Sequence, residues 1–226
     1  MNYIFLLINI CLILFPFLLA FDKVNLDYNT IKTTVLPSFA VALLFAGVSI
    51  FLTDFAVFKF NAPYTLGINI RKVPVEQLLF NFSLVFASLN LYRYLNSKFP
   101  NNEGQKYSLA ISNALIGICV AFLFFAHTKS YPTIVFGILI LLLLFVEYFN
   151  RLRFMYRFYR GFVASLVLFY IAYGILCNIP IVAYERRETV ALEFANIPLE
   201  NHFCLMAMLL LGTYLLERFN YKPATK

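Results

Sequence analysis

Two glutamates stand where a membrane-embedded chain could move protons. Pro74-Val75-Glu76 returns as Pro198-Leu199-Glu200, 124 residues later, and each triplet opens an apolar stretch. Proline suits a first helical turn because its missing N–H has no helical partner there. An acidic side chain in that turn is favoured by the helix dipole. The plain role of such a glutamate is to start a helix. Beside strongly apolar helices, however, a carboxyl group is expensive and usually functional. Desolvation favours its neutral form and the dipole its ionised form, and a carboxyl held between the two can act as acid or base. Its recurrence at an equivalent place strengthens the functional reading.

The other reactive residues offer less. Asp54, Glu147 and His127 lie at the ends of apolar runs and read as interfacial groups. His202 is two residues beyond Glu200, which puts it on a different helix face. Cys11, Cys119, Cys177 and Cys204 fall inside apolar runs with no CxxC or Cys/His spacing, so they read as small buried residues rather than as a disulfide framework or a metal site. Two histidines are too few for a histidine-box di-iron oxygenase, and three dispersed aspartates give no pair for magnesium and a prenyl diphosphate. The last apolar run has no lysine for a retinal Schiff base, and no Gly-rich dinucleotide motif is present.

The elements that position Glu76 and Glu200 follow from composition. Of 226 residues 62% are hydrophobic and 13% charged, against about 45–50% and about 25% in soluble domains. That balance excludes both a soluble globular fold and a disordered chain, and leaves an all-α integral membrane protein. Seven apolar runs near spanning length are visible, at 2–21, 34–51, 75–92, 109–126, 133–149, 162–179 and 200–216. None alternates in polarity as barrel strands do. The first run lacks a basic leader and a good cleavage site, so it reads as a helix rather than a signal peptide. The net charge of +7 is expected to flank helices rather than to bind nucleic acid.

The 124-residue offset also pairs Thr65 with Thr189 and Leu91 with Leu215, and it lays the first three runs over the last three. The expected organisation is a three-helix repeat (1–100), a linker helix (101–128) and a second three-helix repeat (129–226). With four crossings before the fifth run, the repeats are parallel and both glutamates enter from the same side. Twelve Lys and Arg fall on the C-terminal side: Lys23, Lys32, Arg93, Lys98, Lys106, Arg151, Arg153, Arg157, Arg160, Arg218, Lys222 and Lys226. Six fall on the motif side: Lys59, Arg71, Lys72, Lys129, Arg186 and Arg187. The positive-inside rule then places the C-terminus in the cytoplasm and the N-terminus outside, with the cluster from Arg151 to Arg160 as the cytoplasmic anchor.

Phe60-Asn61, Tyr64-Thr65-Leu66-Gly67-Ile68 and Pro74-Val75-Glu76 with Leu79-Phe80 resemble the lycopene cyclase domain family. So do Ile197-Pro198-Leu199-Glu200, Phe203 and the helix ending at Glu217 in the second half. The chain looks like the fused, two-domain form. The resemblance implies a β-cyclase, an intramolecular lyase or isomerase. It protonates an acyclic end of lycopene or γ-carotene, closes a six-membered ring through a tertiary carbocation and loses a proton to give a β-ionone ring. The reaction is redox-neutral and implies no cofactor. Aromatic faces can stabilise the cation, and the chain has 27 Phe and 15 Tyr. Carried over by position, Glu76 and Glu200 are acid and base, and Asn61, Tyr64 and Arg71 orient or stabilise them. Where family members often carry a second acidic residue, this chain has Gln77 and Asn201, counted among the supporting residues. The second copy, from Glu185 to Ala191, lacks the Tyr-Thr-Leu-Gly pattern.

Two other readings compete. A small-solute transporter can also be built from three-plus-one-plus-three parallel repeats. Such transporters use paired hinge prolines, whereas Pro16 and Pro37 map onto Ile140 and Gly161. A non-catalytic carotenoid-binding homologue is the third reading.

Overall fold

The computed structural model describes residues 3–22, 26–150 and 152–220. Lys23, Arg151, Lys222 and Lys226, used in the charge count, lie outside the described residues. Seven α-helices are found among the described residues: α1 (Ile4–Leu19), α2 (Tyr28–Asp54), α3 (Val75–Lys98), α4 (Gln105–Ala126), α5 (Ser130–Leu144), α6 (Met155–Asn178) and α7 (Leu199–Asn220). A π-helical turn, Phe145–Phe149, prolongs α5.

Five helices are long and apolar enough to cross a membrane: α2, α4, α5 with its π turn, α6 and α7. Each of the seven apolar runs becomes a helix, and α1 and α3 are the two outside those five. The 16 residues of α1 rise about 24 Å at 1.5 Å each, and α3 carries Gln77, Asn81, Ser83, Ser88 and Asn90 at buried positions. Helix α3 is enclosed by protein rather than by lipid, which is what lets it keep these side chains.

Two helices begin earlier than their apolar runs. The Asp27 carboxylate accepts the Thr30 N–H at 2.8 Å and caps α2 six residues before the run at 34. Hydrogen bonds from the Thr30 side chain and from its N–H hold the Asp27 carboxyl below its ordinary range. In α6 the first turns contain Arg157 and Arg160, which hydropathy alone leaves out of the helix. These two are not free anchors. Arg160 donates to the Phe99 carbonyl and to Asn96 Oδ1, both at 2.7 Å. Arg157 lies 3.9 Å from Glu217, whose carboxylate also accepts the Tyr92 hydroxyl at 2.6 Å.

Helices α3 and α7 form the centre. α3 packs on α1, α2, α6 and α7, while α7 packs on α5, α2, α3 and α6. They approach closely at Gly212, where an added Cβ would meet Leu89 and Val85 at 3.3 Å. The core is completed by Phe80, Leu84, Phe136, Leu139, Phe169, Leu205 and Leu209. Helix α4 lies at the edge against α5 and α6, with most of its surface outward.

Short extended segments supply the remaining order. β1 (Phe58–Phe60) pairs antiparallel with β4 (Val182–Tyr184), matching Phe58 to Tyr184 and Phe60 to Val182. β2 (Asn69–Ile70) and β3 (Val73–Pro74) form a small hairpin before α3, as β5 (Glu193–Phe194) and β6 (Ile197–Pro198) do before α7. A single 3-10 turn follows each of β1 and β4, at Ala62–Tyr64 and Arg186–Glu188. Every one of these bounds in the first segment is displaced by 124 residues in the second.

Candidate active site

Both glutamates sit in the first turn of their helices and are buried, Glu76 at 2% and Glu200 at 0% exposure. Each reaches back over its own hairpin. The Leu66 N–H donates to Glu76 Oε1, and the Val190 N–H donates to Glu200 Oε1 at 2.5 Å. In both, the second oxygen, Oε2, is buried without a partner. A buried carboxyl oxygen left without a hydrogen bond carries a penalty of about 1–3 kcal/mol or more. An oxygen kept in that state is available to give or take a proton. Asn9 of α1 steadies the first of these helices. Its Nδ2 donates to the Glu76 carbonyl at 3.1 Å, and its Oδ1 accepts the Ser83 hydroxyl at 3.0 Å.

The residues after the glutamates point elsewhere. Gln77 Nε2 donates to Asn81 Oδ1 at 3.1 Å. Asn201 Nδ2 donates to the Tyr184 hydroxyl at 2.7 Å, and its Oδ1 accepts the Tyr131 hydroxyl. The Tyr131 and Tyr184 rings stack with centroids 5.9 Å apart, and Phe58 packs on Tyr184 at 5.7 Å. Gln77, Asn81, Tyr131, Tyr173 and Tyr184 line an interior cavity of about 30 Å³ between α2, α3, α5, α6, α7 and the β1–β4 ribbon. Asn81 Nδ2 is buried there without a partner. Tyr184 is half-buried as a residue, and its hydroxyl lies inside. Burial pushes that hydroxyl well above the ordinary phenol range, so it stays a neutral hydrogen-bonding group. Every polar group named on this cavity is uncharged.

Arg71 and Asn61 make their described bonds to groups other than the glutamates. Arg71, expected to steady a glutamate, pairs with Asp54 at 3.3 Å, with its side chain 70% exposed. Its backbone has φ 57 at the turn between β2 and β3, and Lys72 joins the same aspartate at 3.9 Å. Asn61 donates through Nδ2 to the Pro180 carbonyl, and its N–H bonds to the Ile181 carbonyl at 3.0 Å. It ties the first loop to the strand entering the second. Tyr64 lies half-buried in the 3-10 turn and packs against the main core. His202 faces α6, bonding the Tyr170 hydroxyl at 2.9 Å, and His127 is exposed at the end of α4. No group of His, Cys, Asp and Glu able to hold a metal occurs among the described residues.

Tyr131, Tyr173, Tyr184, Asn81 and Asn9 are the residues that motif reasoning missed. Asn9 and Asn81 were detectable as lone amides in apolar surroundings, where polar groups have a purpose. The tyrosines carry no such signal among fifteen.

No curated protein and no solved structure matches the chain significantly. One family profile does, and its description is lycopene cyclase. It aligns to residues 2–95 and 128–219. Those two stretches take in both buried glutamates with their hairpins and pass over the whole of α4, the helix at the edge of the bundle. With most of the chain so matched, it belongs to the lycopene cyclase family.

Proposed function

We propose that the chain is a membrane carotenoid cyclase, an isomerase that closes β-ionone rings on lycopene or γ-carotene without gain or loss of electrons. A carboxyl proton adds to the terminal double bond and leaves a tertiary carbocation. The neighbouring double bond attacks and closes the six-membered ring. A carboxylate then removes a ring proton to restore the double bond. Glu76 and Glu200 serve as acid and base. The observation that carries this is the matched pair of buried carboxyl groups, each with one oxygen on the N–H of the residue ten before it and the other unpartnered. Phe and Tyr side chains around them offer faces for the cation, and the apolar helices keep water from it.

The same proposal treats 1–100 and 129–226 as parallel three-helix repeats joined by 101–128. The equal displacement of the ribbon, turn and hairpin bounds supports it. It also sets the C-terminus in the cytoplasm and the glutamates toward the outer face, on the charge asymmetry of the sequence.

One observation favours the non-catalytic reading: Gln77 and Asn201 stand where family members often carry a second acidic residue. Expression in a lycopene-producing host separates the two. Ring-bearing carotenoids support the cyclase. Lycopene co-purifying unchanged with the chain supports a binding protein.

A further inference from the structure

The two carboxyl groups differ in what separates them from the bilayer. Along the seam of α1 and α6 runs an outward-facing groove of about 330 Å³, bounded by Ile4, Phe15, Leu168, Ala172 and Ile175 among others. Its walls are aliphatic and aromatic side chains with the single thiol of Cys11, and no charged or amide group. From Ile4 to Phe15 the α1 wall extends about 16 Å at 1.5 Å per residue, enough for the end portion of a linear isoprenoid.

Behind the groove three rings stand in series. Phe5 and Phe80 have centroids 5.8 Å apart, and Phe80 and Tyr173 5.2 Å apart. Phe80 is four residues beyond Glu76, on the same face of α3, and helical side chains lean toward the N-terminus, here toward Glu76. At this level α1 also touches α3 through Asn9 and the Glu76 carbonyl. In the other half, the positions displaced by 124 from Phe5, Phe80 and Tyr173 hold Lys129, Cys204 and Ser49. Cys204 and Ser49 line the small interior cavity, which Tyr173 also borders, and not the outward groove.

We infer that the α1–α6 groove admits the acyclic end of a linear isoprenoid hydrocarbon from the bilayer, with Phe80 and Tyr173 as the gate to Glu76. Glu76, not Glu200, is the carboxyl nearer the incoming chain. The inference rests on the cyclase reading for the identity of the hydrocarbon.

The chain contains no tryptophan, so a single introduced one reports its surroundings alone. Phe15→Trp places it in the groove, and Phe124→Trp places it on the outward face of α4, where Phe124 is 75% exposed. Each full-length variant is reconstituted in phosphatidylcholine vesicles and titrated with lycopene while tryptophan emission is followed. Stronger quenching of the groove variant at equal lycopene is expected; equal quenching of both overturns the groove. Ala172→Trp, which fills the groove, is expected to lower cyclisation about tenfold, or 1.4 kcal/mol in barrier, with unchanged elution on gel filtration. Wild-type rates in that variant also overturn it. Selective quenching in a chain that forms no rings leaves the groove standing and removes the cyclase reading. Ring formation with equal quenching does the reverse.

Discussion

The segments 58–76 and 182–200 follow nearly the same backbone path with few shared residues. Asn61 has φ −86 and ψ 113, and Glu185 has −83 and 113. Thr65 and Thr189 agree within 2° in both angles. Gly67 and Ala191 are both left-handed, at φ 80 and 62, as are Arg71 and Ala195 at 57 and 53. What both copies keep is a glutamate in the first helical turn bonded across the hairpin to the N–H ten residues earlier. The surrounding chemistry has diverged. Asn61 reaches across to the Pro180 carbonyl, while in the second copy Glu188 accepts the Ser130 N–H at 3.1 Å and so caps α5. The comparison teaches that the carboxyl bond across the hairpin fixes the path, and that side chains along it are free to take other duties.

The largest expected effect tests what is shared. Glu76→Gln and Glu200→Gln each remove an acid or base, and each is expected to lower ring formation by about 10²–10⁴-fold, read as retained lycopene in pigment extracts. Glutamine can still accept the Leu66 or Val190 N–H, so the fold is expected to persist. Next comes the contrast one residue on. Asn201→Ala leaves the Tyr131 hydroxyl without its acceptor and removes one partner of the Tyr184 hydroxyl, and is expected to lower stability by about 2–3 kcal/mol, whereas Gln77→Ala removes the donor to one Asn81 oxygen and a bond to Tyr173, at about 1–2 kcal/mol. Thermal unfolding in detergent compares them, and the reverse order would show that the polar contacts on the two sides are not unequal in this way. A smaller difference is expected where the copies differ in glycine. Gly67→Ala forces a Cβ into the left-handed region and is expected to cost about 1 kcal/mol, while Ala191→Gly relieves that strain and is neutral or stabilising. Smallest is Glu188→Ala, which removes the bond to the first turn of α5 at about 0.5–1 kcal/mol. Tyr64→Ala, its counterpart, leaves that helix untouched.

Much of this arrangement was legible from residue type and spacing. Apolar runs located all seven helices, because lipid demands about twenty apolar residues per crossing. They missed the first turns of α2 and α6, where Asp27 caps a polar turn and Arg157 and Arg160 bond to α7, α3 and the chain beyond α3. They also do not register that neighbouring helices enclose Gln77, Asn81 and Asn90, over which hydropathy averages. The glutamates were found by their spacing. The ribbon of β1 with β4 was not, because its strands are three residues long and lie far apart in sequence. Arg71 was drawn to a carboxylate as charge alone suggests, but to Asp54, because the left-handed turn at 71 carries it to the end of α2.

The central claim is proton-initiated ring closure by buried carboxyl groups. Its most direct test is to supply lycopene to the purified chain in D2O with no oxidant or reductant and to weigh the product. The account predicts one deuterium per ring formed, and none in the Glu76→Gln and Glu200→Gln variants because no ring forms. Rings without deuterium, or rings that appear only when an oxidant or reductant is added, would contradict it.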